Sequence, residues 1–241
     1  MRIIVSALIT LMALTAMAQE ERPTINPTAT YISSDGKEEV STNYSGSAPQ
    51  LARFEANAEN VEGWTEYYEW RFTMEGDNQT EPYLIRYEKD TEYTFVQAGS
   101  HKIVLYAVFT QGNDSVVFTE QYWKEEKDPL IVTISESKLE MPNAFSPNGD
   151  LHTDIYGAKS GYQSLVEFKA TIYNRWGQKM YEWDDPAGGW DGTFNGHDAP
   201  QGTYFVLVRA MGADGRKYTI KRDVNLLRGS RESQSNNTTT P

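Results

Sequence analysis

The chain has 241 residues, with 22 Lys and Arg against 34 Asp and Glu, and its formal net charge is −12. This acidic excess argues against binding to nucleic acid or to an anionic membrane surface, since both need basic patches. The chain has no cysteine, which excludes a disulfide framework, a thiolate metal site and a cysteine nucleophile. Its length fits one large or two small domains, and its fifteen Tyr and six Trp favour strands over helices.

The first 18 residues have the features of a secretory signal peptide. Arg2 is followed by a mostly apolar stretch over residues 3–14 and by small residues at Ala16 and Ala18. Cleavage is expected between Ala18 and Gln19. The apolar run is shorter than the roughly 20 residues of a membrane-spanning helix, so we predict an exported protein with no transmembrane segment of its own.

Residues 19–49 are polar and contain Pro23 and Pro27. Residues 28–32 have the composition of a strand that could dock on the following domain. We expect the remainder of 19–49 to form an extended leader.

Residues 50–135 alternate between apolar and polar side chains, which is the pattern of half-buried strands. Three sets of apolar residues each share one face: Phe54, Ala56 and Ala58; Tyr68, Trp70 and Phe72; Ile103, Leu105, Ala107 and Phe109. Residues 114–123 and 130–135 complete about seven strands, separated by regular turns, of a β-sandwich. A charged stretch at 124–129 interrupts the last part.

Two motifs in this region carry a resemblance. The sequences YEWRF at residues 68–72 and AGSHKIVL at residues 98–105 are similar to two strands of PKD-type immunoglobulin-like domains. The Gly-Asp-Gly that usually follows the first motif is absent, because residues 73–76 read TMEG. The resemblance implies an immunoglobulin-like sandwich over 50–135 and no particular site.

Residues 141–228 consist of turn signals, each joined to the start of a strand. NRWG at 174–177 predicts a hairpin connection in which Gly177 supplies a positive φ, and PQG at 200–202 turns into an aromatic, β-branched run. No helical periodicity is present. The fold class predicted for the whole chain is therefore all-β, with two tandem β-sandwich (immunoglobulin-like) domains at 50–135 and 141–228.

The motifs PNAFSPNGD, IYNRWGQ, GWDGTFNG, APQGTYFVLV and VNLLR occur in that order within residues 141–228. Together they resemble the gliding motility-associated C-terminal domain of Bacteroidetes, the type B signal of the type IX secretion system. The resemblance implies an exported, non-enzymatic protein whose partners are an outer-membrane barrel of the SprF/PorP-like class and the translocon. Residues 229–241, rich in Ser, Asn and Thr, are expected to be a disordered tail, which departs from the usual end of this domain.

The sequence offers little for chemistry. His101, His152 and His197 are far apart, no serine has a Gly-x-Ser-x-Gly context, and we predict neither a catalytic residue nor a cofactor. Asn148, Asp150 and Asp154 are weak candidates for calcium ligands. Asp and Asn in turns also bond to their own backbone, which is the alternative interpretation.

We expect partner docking on the turn motifs and the last strand. The candidate residues are Arg175, Trp176, Gly177, Trp190, Asp191, Gly192, Val224, Leu226 and Arg228. Trp and Arg dominate binding hot spots, and a last strand with a free edge could add to a partner's sheet. The alternative for the tryptophans is core packing, and both hold if Trp176 is exposed while Trp190 is buried.

Three functions are weighed. The protein is cargo that is displayed at the cell surface or released, or it is a resident accessory component of the secretion or gliding machinery at the outer membrane. A hydrolase is the most distant alternative, because no positioned constellation of catalytic groups is visible.

Overall fold

The computed structural model describes residues 21–76 and 81–228, which consist almost entirely of β-strands. Two groups of sheets each enclose a hydrophobic core. This architecture confirms the predicted all-β class with sandwich domains in tandem. The predicted signal peptide, its cleavage point between Ala18 and Gln19, and the predicted tail at 229–241 lie outside the described residues.

The first unit is a sandwich of two sheets whose strands are β1 (Thr28–Ile32), β2 (Glu38–Val40), β3 (Asn43–Gly46), β4 (Gln50–Glu55), β5 (Thr65–Met74), β6 (Leu84–Arg86), β7 (Thr91–Phe95), β8 (Gly99–Gln111), β9 (Asp114–Phe118) and β10 (Leu130–Ile134). One sheet has the order β2-β1-β4-β7. The other has the order β3-β10-β8-β5-β6, and β9 pairs with the second half of β8.

The core of this unit follows the predicted alternation. Trp70 and Phe72 of β5 and Ile103, Leu105, Ala107 and Phe109 of β8 are fully buried. Antiparallel pairing places Trp70 opposite Leu105 and Phe72 opposite Ile103, so the apolar faces of the two longest strands coincide. The faces predicted for residues 68–72 and 101–110 are therefore confirmed.

The strand predicted at 28–32 is β1, which pairs with β4. The remainder of 19–49 was expected to be an extended leader, and its described part corrects this: β2 pairs with β1 and β3 pairs in parallel with β10, so the segment contributes to both sheets. The physical reason is that Ala29 and Tyr31 are buried in the core, where Tyr31 stacks on Tyr44 with ring centroids 4.0 Å apart.

Residues 114–123, predicted as one strand, divide into β9 and the short helix α1 (Glu120–Glu125). The helix places the indole of Trp123 against the centre of β8, where its Nε1 donates to the carbonyl of Leu105 at 2.7 Å. Leu105 lies between the part of β8 that pairs with β10 and the part that pairs with β9. The helix thus gives the Leu105 carbonyl a hydrogen-bond donor at the gap between the β10 and β9 pairings.

The second unit contains the strands β11 (Ala144–Phe145), β12 (Tyr156–Gly157), β13 (Leu165–Tyr173), β14 (Lys179–Trp183), β15 (Gly189–Trp190), β16 (Thr193–Phe194), β17 (His197–Asp198), β18 (Gly202–Gly212) and β19 (Lys217–Leu226). Five form a sheet of order β11-β19-β18-β13-β14, and the pairs β12–β15 and β16–β17 stand beside it. The core packs Val206 and Val208 of β18 with Phe145 and Tyr156. Within the described ranges no helix is long and apolar enough to cross a bilayer.

Candidate docking surface

The turn between β13 and β14 is held by the side chain of Asn174. Its Oδ1 accepts hydrogen bonds from the backbone N–H of Trp176 and of Gln178, both at 3.0 Å. Its Nδ2 donates to Oε1 of Gln178, also at 3.0 Å. Gly177 has a φ of +79°, which a side chain rarely adopts. Because Asn174 is only 8% exposed, this turn has a buried polar anchor and a defined shape.

Trp176 projects from this anchored turn into solvent. Its side chain is 76% exposed, and the guanidinium carbon of Arg175 lies 4.3 Å from the centre of its ring. This cation–π contact holds a large apolar surface and a positive charge side by side. The structure therefore shows the exposed tryptophan that the sequence allowed as one of two interpretations.

A shallow cleft of about 180 Å³ adjoins the turn. Its lining includes Arg175, Trp176, Pro200 and Tyr204. The hydroxyl of Tyr204 donates to the carbonyl of Pro200 at 2.7 Å. Burial raises the pKa of Tyr204, and the nearby positive charges of Arg228 and Arg175 oppose that rise. Tyr204 thus lies within the field of both arginines.

Trp190, predicted as a docking residue, is fully buried, and this corrects the prediction. Its ring packs against Tyr204 with centroids 5.0 Å apart, and its Nε1 donates to the carbonyl of Thr193 at 2.7 Å. Asp191 accepts from the backbone and the hydroxyl of Thr193 at 2.9 and 2.8 Å. The motif GWDG is therefore a structural turn, and its tryptophan is part of the core of the second unit.

Gly192 and Arg228, which are distant in sequence, meet at this turn. Arg228 donates from Nη2 to the carbonyl of Gly192 at 2.8 Å and from Nε to the carbonyl of Ala199 at 3.1 Å. It also pairs with Asp198 at 3.2 Å. Gly192 has a φ of +80°, and a Cβ there would lie 3.1 Å from Cγ of Pro147. Arg228 therefore connects the two turns that contain Gly192 and Ala199. Its guanidinium group is occupied by these hydrogen bonds and by the ion pair with Asp198.

The prediction that the last strand offers a free edge is wrong at its end. Val224 and Leu226 are fully buried, so they do not reach a partner in this fold. The neighbouring strand β11 pairs with Asn225 and Leu226, which covers the edge there. Of the predicted docking residues, Arg175, Trp176 and Gly177 lie together at the surface. Asp191 is also exposed and accepts hydrogen bonds from Thr193. The others, Trp190, Gly192, Val224, Leu226 and Arg228, support the fold.

The three weak calcium candidates hydrogen bond within their own loop. Asp154 accepts from the backbone N–H of Asn148, Gly149 and Leu151, each at 2.8 Å, and these bonds lower the pKa of Asp154. Asp150 accepts from the backbone N–H of His152 at 2.8 Å. In the described ranges, no group of three or more His, Cys, Asp or Glu side chains is placed to hold a metal ion.

Two residues of the site, Asn174 and Tyr204, are not among the docking residues predicted from the sequence. Asn174 anchors the turn that carries Trp176, and Tyr204 lines the adjoining cleft. The spacing of Asn174, two residues before Trp176 and four before Gln178, is the signal for Asn174, because Asn in a turn bonds the backbone two residues on. No comparable sequence signal identifies Tyr204, whose place depends on packing against Trp190.

Comparison with known proteins gives one family match. Residues 139–223 match the family model of the CHU_C type IX secretion signal domain. This match confirms the resemblance seen in the motifs of residues 141–228. No curated protein matches the chain.

Comparison with solved structures gives matches with low TM-scores, of which three are described. Dimeric latent PorU from Porphyromonas gingivalis is 10% identical with a TM-score of 0.27 over 88% of this chain and 21% of PorU. The C-terminal domain of the Streptococcus pyogenes antigen I/II-family protein AspA is 8% identical with a TM-score of 0.29, over 83% of this chain and 99% of that domain. A tetra-tandem repeat from the extending region of a large adhesion protein is 11% identical with a TM-score of 0.24, over 86% and 68% of the two chains. The chain thus spans about a fifth of the length of latent PorU.

Proposed function

We propose that this chain, whose carboxy-terminal unit is a type IX secretion signal domain, is cargo that this system displays at the cell surface or releases. A signal domain of this kind is a targeting domain and not a catalytic one. It implies interaction with the secretion machinery and export across the outer membrane. The first sandwich would then be the exported part.

The turn of Arg175, Trp176 and Gly177 is the proposed contact with the machinery. A tryptophan that is 76% exposed yet fixed by an anchored turn is the observation that carries this proposal. Aromatic side chains and arginines supply most of the binding energy at protein interfaces. Because Asn174 fixes the turn before binding, little conformational entropy is lost when a partner covers Trp176.

The chemistry of the turn indicates what kind of partner surface would bind it. The indole ring needs an apolar recess, and the guanidinium of Arg175 needs a carboxylate or carbonyl oxygen at the rim. The adjoining cleft of about 180 Å³, whose lining includes Pro200 and Tyr204, can accept a small side chain in return. An outer-membrane barrel of the SprF/PorP-like class, together with the translocon, is the partner that the family resemblance implies.

The proposal is tested by secretion of the full chain in a bacterium with a working type IX system. Trp176→Ala is expected to lower the surface-exposed and released fraction at least tenfold, because about 2 kcal/mol or more is the usual contribution of a hot-spot residue. Tyr87→Ala is the matched control, since Tyr87 is an aromatic residue of the first sandwich that is 61% exposed. It should leave secretion unchanged.

Trypsin resistance of the retained protein shows whether each variant is folded. Normal secretion of folded Trp176→Ala would contradict the proposed contact. Retention of the unmutated protein in a stable complex at the periplasmic face would contradict the assignment as cargo and would make it a component of the machinery.

A further inference from the structure

The two units are joined by hydrogen bonds in addition to the linker between them, residues 136–140. The backbone N–H of Ala98, in the first unit, donates to the carbonyl of Ala213 at 3.0 Å. The backbone N–H of Ala48 donates to Oγ of Ser164 at 3.1 Å, and Oγ of Ser135 lies 2.8 Å from the same oxygen. Three separate parts of the first unit therefore bond to the second.

The second unit also contributes apolar atoms to the core of the first. Ala213, on the turn between β18 and β19, is 8% exposed and packs within the first core. Val166 of β13 packs against the same core. The end of the first sandwich is thus closed by residues that belong to the signal domain.

The turn that carries Ala213 is itself held in one position. The backbone N–H of Ala213 donates to the carbonyl of Ser164 at 2.8 Å. Asp214 accepts from Oγ of Ser137 at 2.7 Å and from its backbone N–H at 3.2 Å, which lowers the pKa of Asp214. A Cβ at Gly212 would lie 2.1 Å from Oγ of Ser137, so the linker contacts the turn closely. The linker and the turn are therefore packed as one element.

We propose that the turn at residues 212–216 is a plug that makes the two units unfold as one cooperative body. Separating the units would expose Ala213 and the end of the first core. It would also break the hydrogen bonds that the backbone N–H groups of Ala48 and Ala98 donate to the second unit. The signal domain then presents the first sandwich in a fixed orientation, and the secreted object is a rigid tandem. This inference does not depend on where the signal domain docks.

The test is pulsed hydrogen exchange with mass spectrometry on the full chain across a urea gradient. Peptides from residues 50–76 and 100–135 report on the first unit, and peptides from 165–183 and 202–226 report on the second. The proposal predicts one common urea midpoint for both sets. Two separate midpoints in the unmutated chain would overturn it.

Ala213→Gln places a long polar side chain at the plug and is expected to separate the two midpoints. Ala187→Gln is the matched control, because Ala187 is exposed in the same unit, and it should leave them coincident. Coincident midpoints in folded Ala213→Gln would overturn the role of the plug.

If Ala213→Gln does not fold, Ser164→Ala decides instead, because it removes only the oxygen shared by Ala48 and Ser135. Because the two units unfold as one body in this proposal, Ser164→Ala should lower the urea midpoints of both sets of peptides by the same amount. A lower midpoint in only one of the two sets would overturn the proposal.

Discussion

Replacement of Asn174 by Ala tests whether the exposed tryptophan is held by a buried anchor. The change removes three side-chain hydrogen bonds and leaves the N–H groups of Trp176 and Gln178 without an acceptor. Each lost bond at a site this buried costs about 0.5–1.5 kcal/mol, so the free energy of unfolding should fall by about 2–3 kcal/mol. Asn174→Asp is the informative control. It keeps the accepting oxygen and loses only the bond to the Gln178 side chain, so about 1 kcal/mol is expected.

The assay is urea unfolding of the full chain, combined with hydrogen exchange at residues 174–178. Asn174→Ala should increase exchange of the Trp176 and Gln178 amides well above that of Asn174→Asp. Secretion should fall with Asn174→Ala, because a mobile turn loses conformational entropy when its partner binds. Equal stability of the Ala and Asp variants, or a loss below about 0.5 kcal/mol in both, would refute the reasoning that the amide anchors the turn.

Further predictions concern burial, backbone conformation and pH. Trp190→Ala should lower the free energy of unfolding, measured in urea, by about 3–5 kcal/mol. Trp176→Ala should change it by less than about 0.5 kcal/mol. Similar losses in the two variants would contradict the burial of one ring and the exposure of the other. Gly192→Ala should cost about 1–2 kcal/mol by the same measurement, because its φ is +80° and Cγ of Pro147 is close, and an unchanged midpoint would argue against that strain. Burial lowers the pKa of His101, whose ring bonds the carbonyl of Gln97 and the hydroxyl of Tyr83, so the unfolded chain binds the proton more readily. The stability from the neutral ring is therefore present above about pH 6.5 and is lost as pH falls below it, and His101→Gln should flatten this dependence in unfolding measured from pH 5 to 8. If the dependence of stability on pH persists in His101→Gln, titration of other groups causes it.

Alternation of side chains in the long strands was enough to predict their buried faces. Trp70, Phe72, Leu105 and Phe109 lie where the period of two places them, because one face of each strand must meet the opposite sheet. Long strands have enough residues to make this pattern distinct.

Alternation of side chains does not predict the short strands. β2 contains Glu38 and Glu39 and has no buried residue, so only its pairing with β1 makes it a strand. Helix α1 is six residues long, and its position depends on the bond from Trp123 to Leu105. In such segments tertiary contacts outweigh local preference.

Prediction of the candidate site from the sequence is limited in the same way, because tertiary contacts decide which residues are exposed. Trp176 and Trp190 both lie in turn motifs beside a glycine, yet one ring is exposed and the other is in the core. The difference comes from packing, because the rings of Phe145 and Tyr204 both lie against Trp190. Likewise, Leu226 is buried because β11 and the core close over the end of the last strand. These facts depend on packing, which sequence motifs do not contain.

The most direct test of the central claim is capture of partners by the full chain from the outer-membrane fraction of its host. The captured proteins are identified by mass and compared between the unmutated chain, Trp176→Ala and Tyr87→Ala. The account predicts that the unmutated chain and Tyr87→Ala capture an outer-membrane barrel and translocon subunits in amounts well below one complex per chain, as cargo in transit would, and that Trp176→Ala captures at least tenfold less. Equal capture by folded Trp176→Ala would contradict the claim that this tryptophan is the docking residue.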